Sequence, residues 1–168
     1  MAEETRRVPT FLNGPTTPIA VLLPMRLFVG YYWLQAGLAK LSAGWLGGAN
    51  TQLKEMVLGW GKEGAYAPPP WFSGVMTGAI TDNMAVFQWL VVCAQLGIGA
   101  LVLAGAVTRI TAAIAGLMAI IALIALGPAC PEALPVAVMG VTCAIAAAGR
   151  YLGVDALIRV RNMQIPIF

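Results

Sequence analysis

The sequence predicts an all-α integral membrane protein, built as an antiparallel bundle of four transmembrane helices with a periplasmic loop that carries short interfacial helices. The chain is 60% hydrophobic and only 10% charged, with a mean hydropathy of +0.82, whereas an ordinary soluble domain has roughly 25% charged residues. Its 168 residues contain four apolar stretches long enough to cross a bilayer. Arg26 lies inside the first stretch, and a cation at that depth normally faces protein, water or a bound group.

We expect one membrane domain over residues 1–168. The predicted spans are residues 18–41, 83–107, 110–126 and 133–148, with an outer loop at 42–82 and a tail at 149–168.

The first span begins at Pro18, where a missing N–H leaves nothing unsatisfied, and Thr16 and Thr17 are able to cap it. Pro24 removes a backbone bond one turn later and predicts a kink near Arg26. Spacings of four, three, four and three then place five residues on one stripe of the helix. They are Arg26, Gly30, Trp33, Gly37 and Lys40.

The outer loop is too long for a bare connector in so small a protein. It contains two short amphipathic stretches, separated by Pro68, Pro69 and Pro70, which suit the headgroup region. Its tryptophans and Tyr66 predict an aromatic belt at that interface.

The second span carries Gln88, Gln95 and Gly99 on one face, so an amide at mid-bilayer needs a polar partner. The short connection at 105–109 predicts a hairpin with the third span. In the fourth span a small residue recurs every four positions, which favours close helix packing. The predicted packing positions are Gly30, Gly37, Gly99, Gly140 and Ala144.

Charge at the helix ends predicts the orientation. The arginines near helix ends are Arg6, Arg7, Arg109, Arg150, Arg159 and Arg161, and the lysines on the opposite side are Lys40, Lys54 and Lys62. This bias predicts that both termini lie in the cytoplasm. The first 15 residues include charged side chains and no apolar core, so we expect no cleavable signal peptide. We interpret the net charge of +3 as a reflection of membrane topology and of contact with anionic lipid. Nucleic acid is not an expected partner.

The chain contains no histidine, so we expect neither haem nor a metal site. Cys93, Cys130 and Cys143 form no C-x-x-C pair and are interpreted as small buried hydrophobes plus one free loop thiol.

Each of three candidate residues in the first span has two possible roles. Arg26 either anchors the bundle, with Gln95 as the best partner, or binds a carbonyl-bearing or anionic group such as a quinone head. Lys40 either extends toward the interface or attracts anions at the mouth of the bundle, where Asp82 or Glu132 are the alternative partners. Trp33 either packs in the bundle or contacts a cofactor.

Four ordered motifs combine glycines, aromatic residues and helix-end cations. They are Arg26-x-x-x-Gly30 with Ala36-Gly37-x-x-Lys40-Leu41, then Pro70-Trp71-Phe72 with Asn83 and Phe87, then Gly97-Ile98-Gly99 through Gly105 with Thr108-Arg109, and finally Gly149-Arg150-Tyr151 with Asp155. In this order the chain resembles the DoxX/DoxD-like membrane family, which includes the small membrane subunit of thiosulfate:quinone oxidoreductase. Gln95 stands where members of that family usually have a glutamate, and glutamine can neither take up a proton nor form an ion pair.

The resemblance implies a bacterial or archaeal cytoplasmic membrane, other membrane subunits and lipid as partners, and a quinone as the one cofactor to consider. Three functions remain open. The first is an accessory subunit of a respiratory or photosynthetic electron-transfer assembly that retains quinone or lipid. The second is the membrane subunit of a quinone-linked oxidoreductase, with Arg26, Gln95, Trp33 and Lys40 as candidate ligand contacts, and the third is a small transporter or channel. Since the chain itself offers nothing to hold an electron, its status as an enzyme depends on a partner or on the quinone.

Overall fold

The computed structural model describes residues 22–47, 51–60, 62, 66–146, 148 and 153–155. Its helices are α1 (Leu22–Ser42), α2 (Gln52–Gly59), α3 (Pro70–Asp82), α4 (Met84–Ala104), α5 (Thr108–Leu126) and α6 (Ala133–Ile145), with short 3-10 turns at Trp45–Gly47 and Gly127–Ala129. Within this described part there is no strand, which confirms the all-helical prediction.

The four predicted spans coincide with α1, α4, α5 and α6, and the two loop stretches coincide with α2 and α3. Differences are confined to helix ends. The α4 helix stops at Ala104 because Gly105 adopts the left-handed conformation, with φ of +67°. The start of the first span at Pro18, all the predicted orientation arginines except Arg109, and most of the tail lie outside the described residues.

The bundle is assembled from two antiparallel pairs, α1 with α4 and α5 with α6. Glycines bring the first pair together, because a methyl group at Gly99 would lie 2.5 Å from the Leu34 nitrogen and one at Gly30 would lie 2.7 Å from Leu103 Cγ. In the second pair, a methyl group at Gly140 would lie 2.9 Å from the Gly116 Cα. Such contacts leave room only for glycine and allow backbones to approach closely.

Two larger apolar clusters fill the bundle, besides a small one between α5 and the residues of and after α6. The central one joins Val29 and Trp33 of α1 to small residues of α5 and α6. The other lies at the far end of α1, where Trp45, Leu53 and Val57 cover Val92 of α4. The outer loop therefore packs onto one end of the bundle and closes it.

Two helices are long and apolar enough to cross a membrane. These segments are Met84–Ala104, with mean hydropathy 2.0, and Thr108–Ala129, with mean hydropathy 2.5. Only 33% of each apolar window is buried inside the protein, whereas the core helix of a soluble protein is mostly buried. Large apolar side chains such as Trp89, Leu90 and Leu117 face outward and are more than half exposed. An apolar outer surface of this extent indicates a membrane or a protein partner.

Candidate functional site

Arg26 lies at the end of the bundle where α4 turns into α5. Its side chain is 2% exposed, and Nη1 donates a hydrogen bond to the carbonyl oxygen of Ala148, 3.2 Å away. Gly105 lies directly beside the guanidinium, since a methyl group there would be 2.8 Å from Nη1. The guanidinium therefore ties α1 to the chain that follows α6 and to the corner between α4 and α5. This geometry favours the anchor over the ligand contact as the role of Arg26.

Asp155 completes this corner from the tail. Its two carboxylate oxygens accept hydrogen bonds from the backbone nitrogens of Val107, at 2.6 Å, and Thr108, at 2.8 Å. Its own backbone nitrogen donates to the Gly105 carbonyl at 3.0 Å. A carboxylate at a helix N-terminus satisfies orphan N–H groups and interacts favourably with the helix dipole. Asp155 thus caps α5 from a position 47 residues later in the chain.

The two charges of this corner act together. Asp155 is 4% exposed, and it attracts the Arg26 guanidinium electrostatically. We call Arg26, Gly105, Val107, Thr108, Ala148 and Asp155 the corner cluster. Both charged side chains of the corner cluster form hydrogen bonds with backbone atoms of the protein itself.

Gln95 lies far from this cluster. It is on α4 ten residues before Gly105, and at 1.5 Å of rise per residue the separation along the helix is about 15 Å. The structure therefore does not bring Arg26 and Gln95 together, because Arg26 lies beside Gly105 at the C-terminal end of α4, whereas Gln95 lies near the middle of that helix. The Gln95 side chain is 6% exposed, and its Oε1 has no hydrogen-bond partner among the described residues.

Trp33 lies in the central apolar cluster of the bundle. It is 3% exposed and meets Tyr32 edge-on, with ring centroids 5.2 Å apart. Its indole Nε1 is buried and has no partner within the described part of the chain. Trp33 and Gln95 thus each place one unpaired polar atom in the interior.

Lys40 lies in the last turn of α1, at the opposite end of that helix from Arg26. Its Nζ is 5.4 Å from the centroid of the Trp45 ring. The described residues offer it no ion pair, so neither Asp82 nor Glu132 contacts it in the way the sequence suggested. Cys130 lies close enough to Lys40 that a negative charge on its sulfur would attract the ammonium. We call Lys40, Cys130, Glu132 and the start of α6 the outer mouth.

Cys130 is held by hydrogen bonds within the outer mouth. Its Sγ donates to Glu132 Oε1 at 3.6 Å and lies 3.9 Å from the Tyr32 hydroxyl. Burial raises the pKa of the Cys130 thiol above its ordinary value, and the Glu132 carboxylate adds to that shift. The thiol is therefore kept neutral and is a weak nucleophile at neutral pH.

The predicted packing residues lie where helices touch. Gly30, Gly37 and Gly99 line the contact between α1 and α4, and Gly140 lines the contact between α5 and α6. Ala144 packs against the small cluster formed by Ala112, Cys143 and Ala148.

The described surface also has a shallow apolar groove of about 390 Å³ between α1 and α6, lined by Met25, Leu134, Pro135, Val138, Met139 and Thr142. No group of three or more histidine, cysteine, aspartate or glutamate side chains in the described residues is placed to hold a metal ion.

Sequence reasoning missed the part that Asp155, Val107 and Thr108 play in the corner cluster. No local pattern links an aspartate in the tail to a helix that begins 47 residues earlier. Thr108 and Asp155 did stand in the third and fourth ordered motifs, but nothing in those motifs indicated that they contact each other.

Comparisons with known proteins give no relative for this chain: no family model, no curated protein and no solved structure matches it.

Proposed function

We propose that the chain is a multi-pass membrane protein, with α1, α4, α5 and α6 as its four crossings, that serves as an accessory subunit of a respiratory or photosynthetic electron-transfer assembly. The observation that carries the membrane part is the outer surface of α4 and α5. Large apolar side chains are exposed there, at Val86, Trp89, Leu90 and Leu101 of α4 and at five isoleucine and leucine positions from Ile110 to Ile121 of α5. In water such a surface is unfavourable by roughly 25 cal/mol for each Å². In hydrocarbon it carries no such cost.

The accessory role is supported by the way the chain uses its buried charges. Arg26 and Asp155 both bind backbone atoms of the corner cluster. A charge that is committed to holding helices together serves the architecture of the bundle, and this suits a subunit that packs against others. The choice of an electron-transfer assembly comes from the resemblance to the DoxX/DoxD-like family.

The alternative is a quinone-binding subunit of an oxidoreductase. It is supported by the unpaired Nε1 of Trp33 and the unpaired Oε1 of Gln95, both of which are buried. A quinone carbonyl accepts a hydrogen bond from an indole N–H, and a hydroquinone hydroxyl donates to an amide oxygen. In that function Trp33 and Gln95 are the ligand contacts, and Arg26 has a positioning role.

Membrane insertion is tested by Leu117→Arg, with Leu117→Phe as the matched control, because Leu117 is 55% exposed on α5. An arginine that faces lipid costs about 2.5–3.5 kcal/mol on insertion scales. We expect Leu117→Arg to lose most of its carbonate-resistant membrane fraction, while Leu117→Phe stays inserted. A Leu117→Arg protein that is soluble and folded without detergent would overturn the membrane proposal.

The assembly is tested by mild digitonin extraction from native membranes, followed by native electrophoresis and mass spectrometry. The proposal expects the chain to migrate with subunits that carry redox cofactors. If it migrates alone and extracted quinone is lost in Trp33→Phe, the oxidoreductase alternative is supported instead. Migration alone without quinone contradicts both functions.

A further inference from the structure

The side of α1 that faces away from the bundle carries exposed residues at heptad spacing. Intervals of three, four, three and four residues separate five exposed positions. They are Phe28, Tyr31, Gln35, Leu38 and Ser42. A narrow stripe with this period of 3.5 residues is the surface along which two helices pack against each other. We call these five residues the α1 seam.

The α1 seam takes no part in packing within one chain. Phe28, Tyr31 and Leu38 are large side chains, and each is about half exposed. The opposite side of α1, which carries Arg26 and Trp33, is the side that is buried in the bundle. The helix therefore has one face for the bundle and a second, patterned face that is open.

Gln35 is the polar residue in the middle of the α1 seam. It is exposed, and its amide has no hydrogen-bond partner within the described residues. At 1.5 Å of rise per residue, Gln35 lies about 10 Å inside the end of α1 at Ser42. In a helix that crosses a membrane, this depth is hydrocarbon, where an unpaired polar group is costly because no water reaches it. A polar group from another molecule relieves that cost.

The amide of Gln35 is complementary to a second copy of itself. A glutamine amide both donates and accepts, so two of them related by a two-fold axis exchange two hydrogen bonds. Two copies that insert in the same direction place Gln35 at the same depth, and their axis then runs along the membrane normal. The helix of a different protein fits only if it has a polar group at that depth, whereas a second copy always has one.

We propose that the chain forms a parallel homodimer in the membrane through the α1 seam, with the two Gln35 amides paired across the axis. One polar residue at a seam position fixes both the register and the number of helices, as it does in coiled coils. The apolar seam residues then pack against their counterparts on either side of the amides. This inference rests on α1 being a membrane crossing, as proposed above, because an exposed amide in water needs no partner.

The first arm of the test measures dimerisation in phosphatidylcholine vesicles. Full chains labelled at the amino terminus with a donor or an acceptor dye are mixed, and energy transfer is followed as lipid dilutes the protein. We expect Gln35→Leu to raise the dissociation constant of the dimer about tenfold, as loss of a pair of interhelical amide hydrogen bonds does. Gln35→Asn keeps an amide and should retain most of the affinity.

Thr142→Val is the matched control for the first arm. Thr142 is an exposed polar residue of α6, outside the α1 seam, and its hydroxyl donates to the Val138 carbonyl of its own helix. Its replacement should leave the dissociation constant unchanged.

The second arm is disulfide cross-linking with copper phenanthroline. The background carries Cys93→Ser, because Cys93 is a free and exposed thiol. Equivalent seam positions of two parallel helices lie close together, so Leu38→Cys should form a covalent dimer. Ile121→Cys should remain monomeric, because Ile121 is 43% exposed at a similar distance from the end of its own helix, α5, but lies outside the seam.

The homodimer is overturned if the wild-type chain stays monomeric at every lipid ratio, or if Gln35→Leu dimerises as strongly as the wild type. It is equally overturned if Ile121→Cys cross-links as readily as Leu38→Cys, or if Leu38→Cys in native membranes cross-links only to a different protein. Both arms use chains that resist carbonate extraction, so absence of a dimer leaves the membrane proposal standing. Failure of the membrane proposal appears separately, in the test on Leu117.

Discussion

The Asp155 carboxylate holds the backbone nitrogen of Val107 at 2.6 Å, and Val107 is the one non-glycine residue with positive φ in the described part of the chain. A β-branched residue at φ of +48° is strained by one to a few kcal/mol and persists only where its surroundings impose it. Asp155 supplies that constraint from the tail. The bond thus explains how a strained corner between α4 and α5 is kept in place.

Asp155→Asn is expected to lower the free energy of unfolding by about 1.5–3 kcal/mol, because a charged acceptor is lost from the α5 start. Arg26→Met is expected to destabilise the protein by a similar amount, since it leaves the Ala148 carbonyl without its donor. The two charges interact, so the double variant should lose less than the sum of the single losses. Thermal unfolding in one detergent measures all three, and strict additivity would contradict an electrostatic coupling.

Two neighbouring substitutions in the same corner should have opposite effects. Gly105→Ala forces a side chain onto a residue at φ of +67° and brings its methyl group within 2.8 Å of Arg26 Nη1, so we expect a loss of about 2 kcal/mol or more. Val107→Gly relieves the strained backbone at the cost of chain entropy, roughly 0.5–1 kcal/mol. Its stability should therefore match or exceed that of the wild type. A large loss in Val107→Gly would show that packing of the valine side chain outweighs its backbone strain.

The helices could be predicted from the sequence because their signals are local. Apolar stretches of bilayer length mark α4 and α5, although the predicted second span ran to residue 107, past the end of α4 at Ala104. The buried face of α1 could also be predicted, because the spacing of Arg26 and Trp33 places them on the stripe that is buried in the structure.

The contact partners of the polar residues could not be predicted in the same way. Arg26 and Gln95 were paired because both lie on inward faces, but the antiparallel register of α1 and α4 separates them by about 15 Å. Register depends on where Gly30, Gly37 and Gly99 meet the opposite helix, which is a tertiary property. The capping of α5 by Asp155 depends on the path of the chain after α6, and no periodicity encodes that path.

The α1–α4 contact offers a matched pair of glycines on one helix. Gly99→Ala places a methyl group 2.5 Å from the Leu34 backbone nitrogen, so the helices must separate. Gly97→Ala meets nothing within 4 Å and should be neutral or stabilising by up to about 1 kcal/mol, as alanine is the better helix former. We expect Gly99→Ala to lose about 2 kcal/mol or more when unfolding is followed by circular dichroism. Equal effects at the two positions would contradict the observed helix register.

The chemistry of Cys130 should show the effect of its surroundings through pH. Because burial raises the pKa of this thiol, its thiolate fraction remains small at pH values where an ordinary cysteine is partly ionised. Labelling by a maleimide should therefore be slow near neutral pH and should increase with pH beyond the range in which a model thiol reaches its plateau. Glu132→Gln removes the neighbouring negative charge, and labelling should then accelerate at lower pH.

Cys143, which is wholly buried, is the internal control and should stay unlabelled in the folded protein, as mass spectrometry of peptides can establish. If Cys130 is labelled at the rate of a free thiol, the turn between α5 and α6 opens in solution. That result would contradict the assignment of Cys130 as a buried, neutral thiol.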